Sequence, residues 1–142
     1  MKLEKGNKSF QLQALEYEYP SNWTLKGQGF DFDTDWLIVS LWGRDEKDEY
    51  KLEGPYLRLG ELVDTYEMFI RVENGFLKEG ESSFVEPNLK IKTLRKSESV
   101  VLSLSFKDDK INFRIEEELS LKEFRECIES LESEIHKCST FE

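Results

Sequence analysis

Cysteine, proline and histidine are scarce in this chain of 142 residues, which has two Cys, three Pro and one His. The cysteines, Cys127 and Cys138, stand eleven residues apart in a helical pattern. On one helix they would lie about 16 Å apart along the axis, too far for a disulfide. Two lone thiols point to a reducing compartment. One histidine, His136, and two distant cysteines are too few soft ligands for a zinc site. His136 is instead expected near a helix C-terminus, where the dipole favours a cation. Long apolar runs are also missing. No stretch approaches the roughly 18 apolar residues of a membrane span, and MKLEKGNKSF at the start has no apolar run after its charges. No signal peptide is therefore expected, and a cytoplasmic location is. Positive charge is in deficit, with 20 Lys and Arg against 30 Asp and Glu, a net charge of −10. That excess argues against binding nucleic acid, which calls for a basic face, and against adsorption to an anionic membrane. A basic protein is the partner such a field attracts, although acidity also simply maintains solubility. No Gly-rich phosphate loop, nucleophile elbow or Cys–His pair is visible. No cofactor, metal or catalytic site is expected.

Aromatic residues are plentiful: ten Phe, five Tyr and three Trp. At this length one domain spanning residues 1–142 is expected, since single domains commonly run to about 100–150 residues. A chain of this size removes roughly 68–70% of its unfolded surface from water, enough for a core without staples.

Phe10 to Tyr19 alternates, but its apolar phase changes face between Leu12 and Leu15. That suggests a strand with a bulge near Gln13 or Ala14. Pro20-Ser-Asn and Gly27-Gln-Gly29 are turn chemistry around Trp23. Trp36 to Trp42 is the best central strand, with the apolar content of one buried on both faces. Trp36 and Trp42 share a face and are both expected to be packed. The polar run Arg44 to Glu49 then makes a hairpin loop into a strand over Tyr50 to Glu53. Gly54-Pro55 opens the next element. Leu59, Leu62, Val63, Tyr66, Phe69 and Ile70 form a helical stripe, stopped by Asn74-Gly75. Glu86-Pro87-Asn88 turns into a strand from Leu89. Val100, Leu102, Leu104 and Phe106 share one face, as do Ile111, Phe113 and Ile115. A two-residue turn at Asp108-Asp109 would set Phe106 opposite Ile111 and Leu104 opposite Phe113. Ser120 and Glu123 make a capping box for a last helix, whose stripe runs through Leu121, Phe124, Ile128, Leu131, Ile135 and Cys138. Hairpin spacings dominate. The expectation is an α+β fold: a curved, mainly antiparallel sheet of six to seven strands, a mid-chain helix and a C-terminal amphipathic helix covering it. No internal repeat is visible.

Asp31, Asp33 and Asp35 alternate before the central strand, a spacing with some likeness to a calcium loop but without its glycine and distal glutamate. Capping of the strand end is the plainer role. The three Trp, with Tyr17, Tyr19, Tyr50 and Tyr66, are expected in the core; the alternative is an aromatic-lined small-molecule pocket between sheet and helix. Charge is uneven along the chain. Residues 31–53 carry a net −5, residues 61–86 a net −5 and residues 90–115 a net +4. The acidic weight falls on the Arg44–Glu49 loop and the first helix.

Three stretches carry a resemblance. DTDWLIV (Asp33 to Val39), PYLRLGELVDTYEMFI (Pro55 to Ile70) and FVEPNLKIK (Phe84 to Lys92) resemble, in order and spacing, the WapI-like family of bacterial immunity proteins. Asp35 stands where the family usually has Asn, and the family's usual Trp near Tyr66 or Met68 is absent. The resemblance implies a non-enzymatic immunity protein. Its partner would be a cognate toxin C-terminal domain, often a nuclease acting on RNA. Asp33, Trp36, Leu37, Glu86, Pro87, Asn88 and Leu89 match as fold determinants, and the family supplies no partner contacts to carry over. The charge pattern places the expected contacts at Asp45, Glu46, Asp48 and Glu49, with Trp42 or Tyr50 as an aromatic anchor.

Overall fold

The computed structural model describes residues 1–18 and 35–141. Its order is β1 (Lys2–Lys5), β2 (Lys8–Tyr17), β3 (Trp36–Arg44), β4 (Glu49–Arg58), α1 (Leu59–Glu73), β5 (Glu79–Glu81), β6 (Leu89–Arg95), β7 (Ser99–Lys107), β8 (Asn112–Ser120) and α2 (Leu121–Cys138). Strands β1 to β4 form one four-stranded antiparallel sheet, and β5 to β8 a second. The expected α+β class, antiparallel pairing and two helices are present. The strands number eight in two sheets, more than the six to seven expected. The order ββββα occurs twice, a repeat of topology that the residues do not display.

Two strands escaped the sequence pattern because they are short. β1 pairs with β2 through a two-residue turn, Gly6-Asn7, in which Gly6 has a φ of 62°. Such turns need positive φ and glycine supplies it. β5 has only three residues. The expected β2 bulge is present one position on: the register shifts between Ala14 and Glu16, and Leu15 is 40% exposed. β4 does not stop at Gly54-Pro55. It runs through them to Arg58, with a register shift against Leu37 and Val39. A bulge is where a strand tolerates a residue lacking an N–H.

Strand β3 alternates, and is not buried on both faces. Leu37, Val39 and Leu41 have no exposed surface, whereas Trp36, Ile38, Ser40 and Trp42 are half-buried on the outer face. The two Trp share a face as expected, but it faces away from the core. The β7–β8 hairpin has the expected faces in a different register. Phe106 lies opposite Phe113, and Leu104 opposite Ile115. The loop is longer because Asp108 builds it: its Oδ1 accepts from the Lys110 and Ile111 N–H groups, both at 2.7 Å. A slip of two residues keeps every side chain on its face, so the core is unchanged.

The inner faces of the two sheets meet at aromatic rings. Phe10 and Phe106 lie 6.1 Å apart between centroids, Phe106 and Phe113 5.2 Å, and Tyr50 and Phe113 5.5 Å. The helices cross over. α1 packs on β5 and β6 as well as β4, and α2 packs on β1 and β2 as well as β7 and β8. Side chains fasten the crossing. The Lys2 N–H donates to Ser130 Oγ at 2.9 Å, and the Ala14 N–H to Glu134 Oε2 at 2.9 Å. Arg95 at the end of β6 donates to the Val72 and Glu73 carbonyls, capping the C-terminus of α1. Between the helices Phe69 and Phe124 stand 5.2 Å apart, and the Tyr66 hydroxyl donates to Glu132 at 2.9 Å. The α2 capping box forms as expected, Ser120 Oγ accepting from the Glu123 N–H at 3.1 Å. The buried stripe of α2 is Phe124, Cys127, Ile128, Leu131 and Cys138. That of α1 is Leu62, Thr65, Phe69 and Val72, together with Glu61.

Candidate partner-binding surface

The β3–β4 hairpin carries the six residues singled out from the sequence. Its strands end at Arg44 and resume at Glu49, so Asp45 to Asp48 form the tip. Asp45 builds that tip. Its Oδ1 accepts from the Lys47 and Asp48 N–H groups, both at 2.9 Å, and its own N–H donates to the Asp48 carbonyl at 3.1 Å. The Asp48 and Lys47 bonds, with a further one from Tyr50, hold the Asp45 carboxyl below the usual carboxylate range. Asp45 and Asp108 thus do the same job in equivalent hairpins of the two ββββα units. Tyr50 leans inward onto Phe113, and burial, then the Asp45 carboxylate, raises its hydroxyl above its ordinary pKa.

Glu46, Asp48 and Glu49 are exposed. Among the described residues none of the three has a cation within ion-pair distance. Trp42 lies half-exposed on the outer face, next to a shallow hollow of about 270 Å³ lined with Gln11, Gln13, Ser40 and Lys51. The Arg44 guanidinium sits 5.8 Å from the Trp42 ring centroid, a cation–π distance that steadies the indole. The hairpin therefore presents three carboxylates, a fixed turn and an aromatic face together. Its chemistry is charge complementarity and apolar contact.

Other sequence candidates fall elsewhere. Asp35 pairs with Arg58 at 2.9 Å, joining β3 to the start of α1. Asp31, Asp33, Tyr19, Trp23 and the turns around Trp23 lie outside the described residues. Among the described residues no group of three or more His, Cys, Asp and Glu is arranged to hold a metal ion. His136 is exposed near the end of α2. Cys127 and Cys138 are free and buried in α2. Between α1 and the β5 segment lies a cavity of about 350 Å³, with an apolar wall of Met68, Leu77 and Phe84 and carboxylates such as Glu61, Asp64 and Glu79 around it. Among the described residues Phe10, Phe69, Phe106, Phe113 and Phe124 are the largest side chains buried in the interior. Sequence reasoning missed Phe76, which is 85% exposed just after α1, and Val85, which is 66% exposed. The available signal was a large apolar residue directly after the Asn74-Gly75 stop with no periodic mate. Among the described residues no helix is long and apolar enough to cross a membrane.

Comparison with known proteins gives one decisive match. The family described as "Immunity protein WapI-like family" matches residues 2–139. This chain belongs to that family. It is thus an immunity protein by family, a role that implies a cognate toxin as its partner. No curated protein matches. Among solved structures, WHY3 from Arabidopsis thaliana is similar at 12% identity, covering 99% of this chain and 88% of that one with a TM-score of 0.49. WHY1 from the same plant is 13% identical over 95% of this chain and 87% of its own, with a TM-score of 0.48. The plant transcriptional regulator PBF-2 is 12% identical over 95% and 79%, with a TM-score of 0.45. Every one of these scores is below 0.5, so the likeness bears on neither mechanism nor partner.

Proposed function

We propose that this immunity protein folds as a single domain, acts in the cytoplasm and neutralises a basic toxin domain, a nuclease, by occluding its surface without catalysis. The contact is the β3–β4 hairpin, through Asp45, Glu46, Asp48 and Glu49, with Trp42 as aromatic anchor and Tyr50 bracing the tip. The observation that carries this reading is the row of exposed carboxylates at Glu46, Asp48 and Glu49, without a cation partner among the described residues and held on a turn that Asp45 fixes. A surface of this sign suits a nuclease, which needs cations to attract phosphate. Preorganisation matters because a fixed loop loses little entropy on binding. Complementary charge raises the association rate and makes it salt-dependent.

The test is co-expression with the toxin domain encoded just upstream of this gene, followed by co-purification and association kinetics. Growth is rescued and the two proteins co-purify. Reversing Glu46, Asp48 and Glu49 to Lys slows association by about tenfold or more at low salt and flattens its salt dependence. Failure to rescue growth removes the toxin reading. Unchanged kinetics in the reversed variant removes the hairpin from the interface.

A further inference from the structure

The outer faces of the two sheets occupy equivalent places in the two ββββα units. In the first sheet Gln13, Ser40 and Glu53 make one cross-strand row, and Gln11, Trp42 and Lys51 the next. The corresponding rows of the second sheet are Lys92, Ser103 and Glu116, then Lys90, Ser105 and Arg114. The central Ser and the flanking Glu recur in the first pair of rows. In the second pair the large indole gives way to Ser105, and both glutamines are exchanged for lysines. Losing the indole opens space, and a groove of about 340 Å³ runs there between Lys90, Lys92, Lys107 and Arg114, with Ser103 and Ser105 within it.

These cations are little used by the protein itself. Lys90 and Lys107 make no ion pair among the described residues. Lys92 stands 3.8 Å from Glu81, and Arg114 3.8 Å from Glu116. All four of those side chains are more than half exposed, so both pairs are weak. Glu116 is also engaged by the Ser103 hydroxyl, which donates to it at 2.7 Å. A chain with net charge −10 therefore keeps four cations around one groove with little compensation among the described residues.

We propose that this groove docks an acidic segment of a partner protein, its carboxylates held by Lys90, Lys107 and Arg114 and its polar atoms by the Ser105 hydroxyl. Charge complementarity identifies the occupant, and the form of the groove narrows it to protein. Phe106 beneath the groove is fully buried, so among the described residues no aromatic ring is offered on which a base could stack. The negative field of the whole molecule repels a long polyanion, whereas a short acidic stretch matches the local cations. The groove lies on the second sheet and the acidic hairpin tip on the first, so the two surfaces are tested separately.

The experiment is a fluorescence-anisotropy titration at low ionic strength with a labelled decaglutamate peptide and a labelled ten-nucleotide oligothymidylate. The proteins are the wild type, Lys90→Gln/Arg114→Gln and Lys90→Glu/Arg114→Glu. Both positions are exposed, and circular dichroism confirms that the variants keep the fold. The wild type binds the peptide, the neutral variant binds about tenfold more weakly, and the reversed variant does not bind. Amide shifts in the wild type, which need no variant, concentrate at Ser103, Ser105 and Arg114 when peptide is added. The proposal is overturned by an absence of peptide binding, by equal binding to all three proteins, by shifts that lie elsewhere, or by tighter binding of the oligonucleotide.

Discussion

Replacing Gly43 with Ala tests the packing that aims the hairpin. Gly43 pairs with Phe10 on one side and Tyr50 on the other, and points at the Phe113 ring. An added Cβ would lie 2.6 Å from Phe113 Cδ2 and Cε2 and 2.7 Å from Cγ. Comfortable carbon contacts sit at about 3.5–4.0 Å, so the overlap is about 1 Å along a flat ring face. The ring has little room to retreat, because Phe113 is 2% exposed and packs on Phe106 at 5.2 Å and Tyr50 at 5.5 Å. Gly43 has no positive φ, so the replacement carries no backbone strain. In an unhindered strand Ala would gain roughly 0.5–1 kcal/mol over Gly. Here overpacking costs about 1–3 kcal/mol and prevails.

A loss of that size lowers Tm by roughly 3–12 °C for a chain of this length. Thermal and urea melts of Gly43→Ala, Phe113→Leu and the double variant measure it. The smaller Leu makes room for the methyl, so the two changes together cost less than their sum by about 1 kcal/mol or more. A Gly43→Ala protein melting with the wild type, or strictly additive costs, would refute the reasoning.

Three further outcomes follow from the same geometry. The Glu61 carboxylate accepts from the Arg58 N–H at 2.9 Å and the Val85 N–H at 2.8 Å, tying the start of α1 to the segment before Pro87. Glu61→Ala therefore costs about 3–5 kcal/mol in urea melts and Glu61→Gln, which keeps one acceptor, about half; equal costs would dismiss the double role. The Glu123 carboxyl is held below its ordinary 4.5 first by the Ser120 N–H and then by Lys5. Its folded form binds protons less readily than its unfolded form, so the contribution is full well above pH 4.5 and fades as the pH falls below it. The Tm gap between wild type and Glu123→Gln should close over that window, and a constant gap would contradict the linkage. Burial pushes the thiol of Cys127 up to about 12 and that of Cys138 to about 11. At pH 8 neither should react with a disulfide reagent in the native protein, while both react in denaturant; prompt native labelling would show the end of α2 to be open.

What the sequence disclosed was faces, and what it hid was lengths. Val100, Leu102, Leu104 and Phe106 were legible as an inward row because a strand has a period of two, and every one of them is fully buried. Their partners were misjudged by two residues, because Asp108 extends the turn with its own side chain. Pro55 suggested a boundary, but a bulge absorbs it within β4. Trp36 and Trp42 were expected inside because aromatic residues in strands most often form core, yet apolar content cannot say which face of an alternating strand is the outer one. The repeated ββββα order was invisible for a related reason. Gln11 and Lys90, or Trp42 and Ser105, have nothing in common as letters and become equivalent only through strand pairing. The charged tip at Glu46 to Glu49 was legible as a local run. The groove around Lys90 and Arg114 was visible only as a regional surplus, since its cations come from three strands.

The two units make the division of labour in this fold explicit. Leu37, Val39 and Leu41 in β3 and Leu102, Leu104 and Phe106 in β7 turn inward and have no exposed surface. The residues between them face outward and are only half-buried, so the inner core constrains their identities less. Ser40 and Ser103 stand at equivalent positions, but their neighbours give one sheet a half-exposed indole beside carboxylates and the other a cationic trough. An immunity protein must follow the surface of its toxin. A scaffold that fixes stability on inner faces and leaves two outer faces to vary can do so with changes that each cost little, because surface substitutions away from caps and cores usually move stability by only about 0.5 kcal/mol. On the proposed reading, recognition rests on the outward residues of each sheet. The Asp45 and Asp108 side chains fix the turns of the two hairpins that carry those residues.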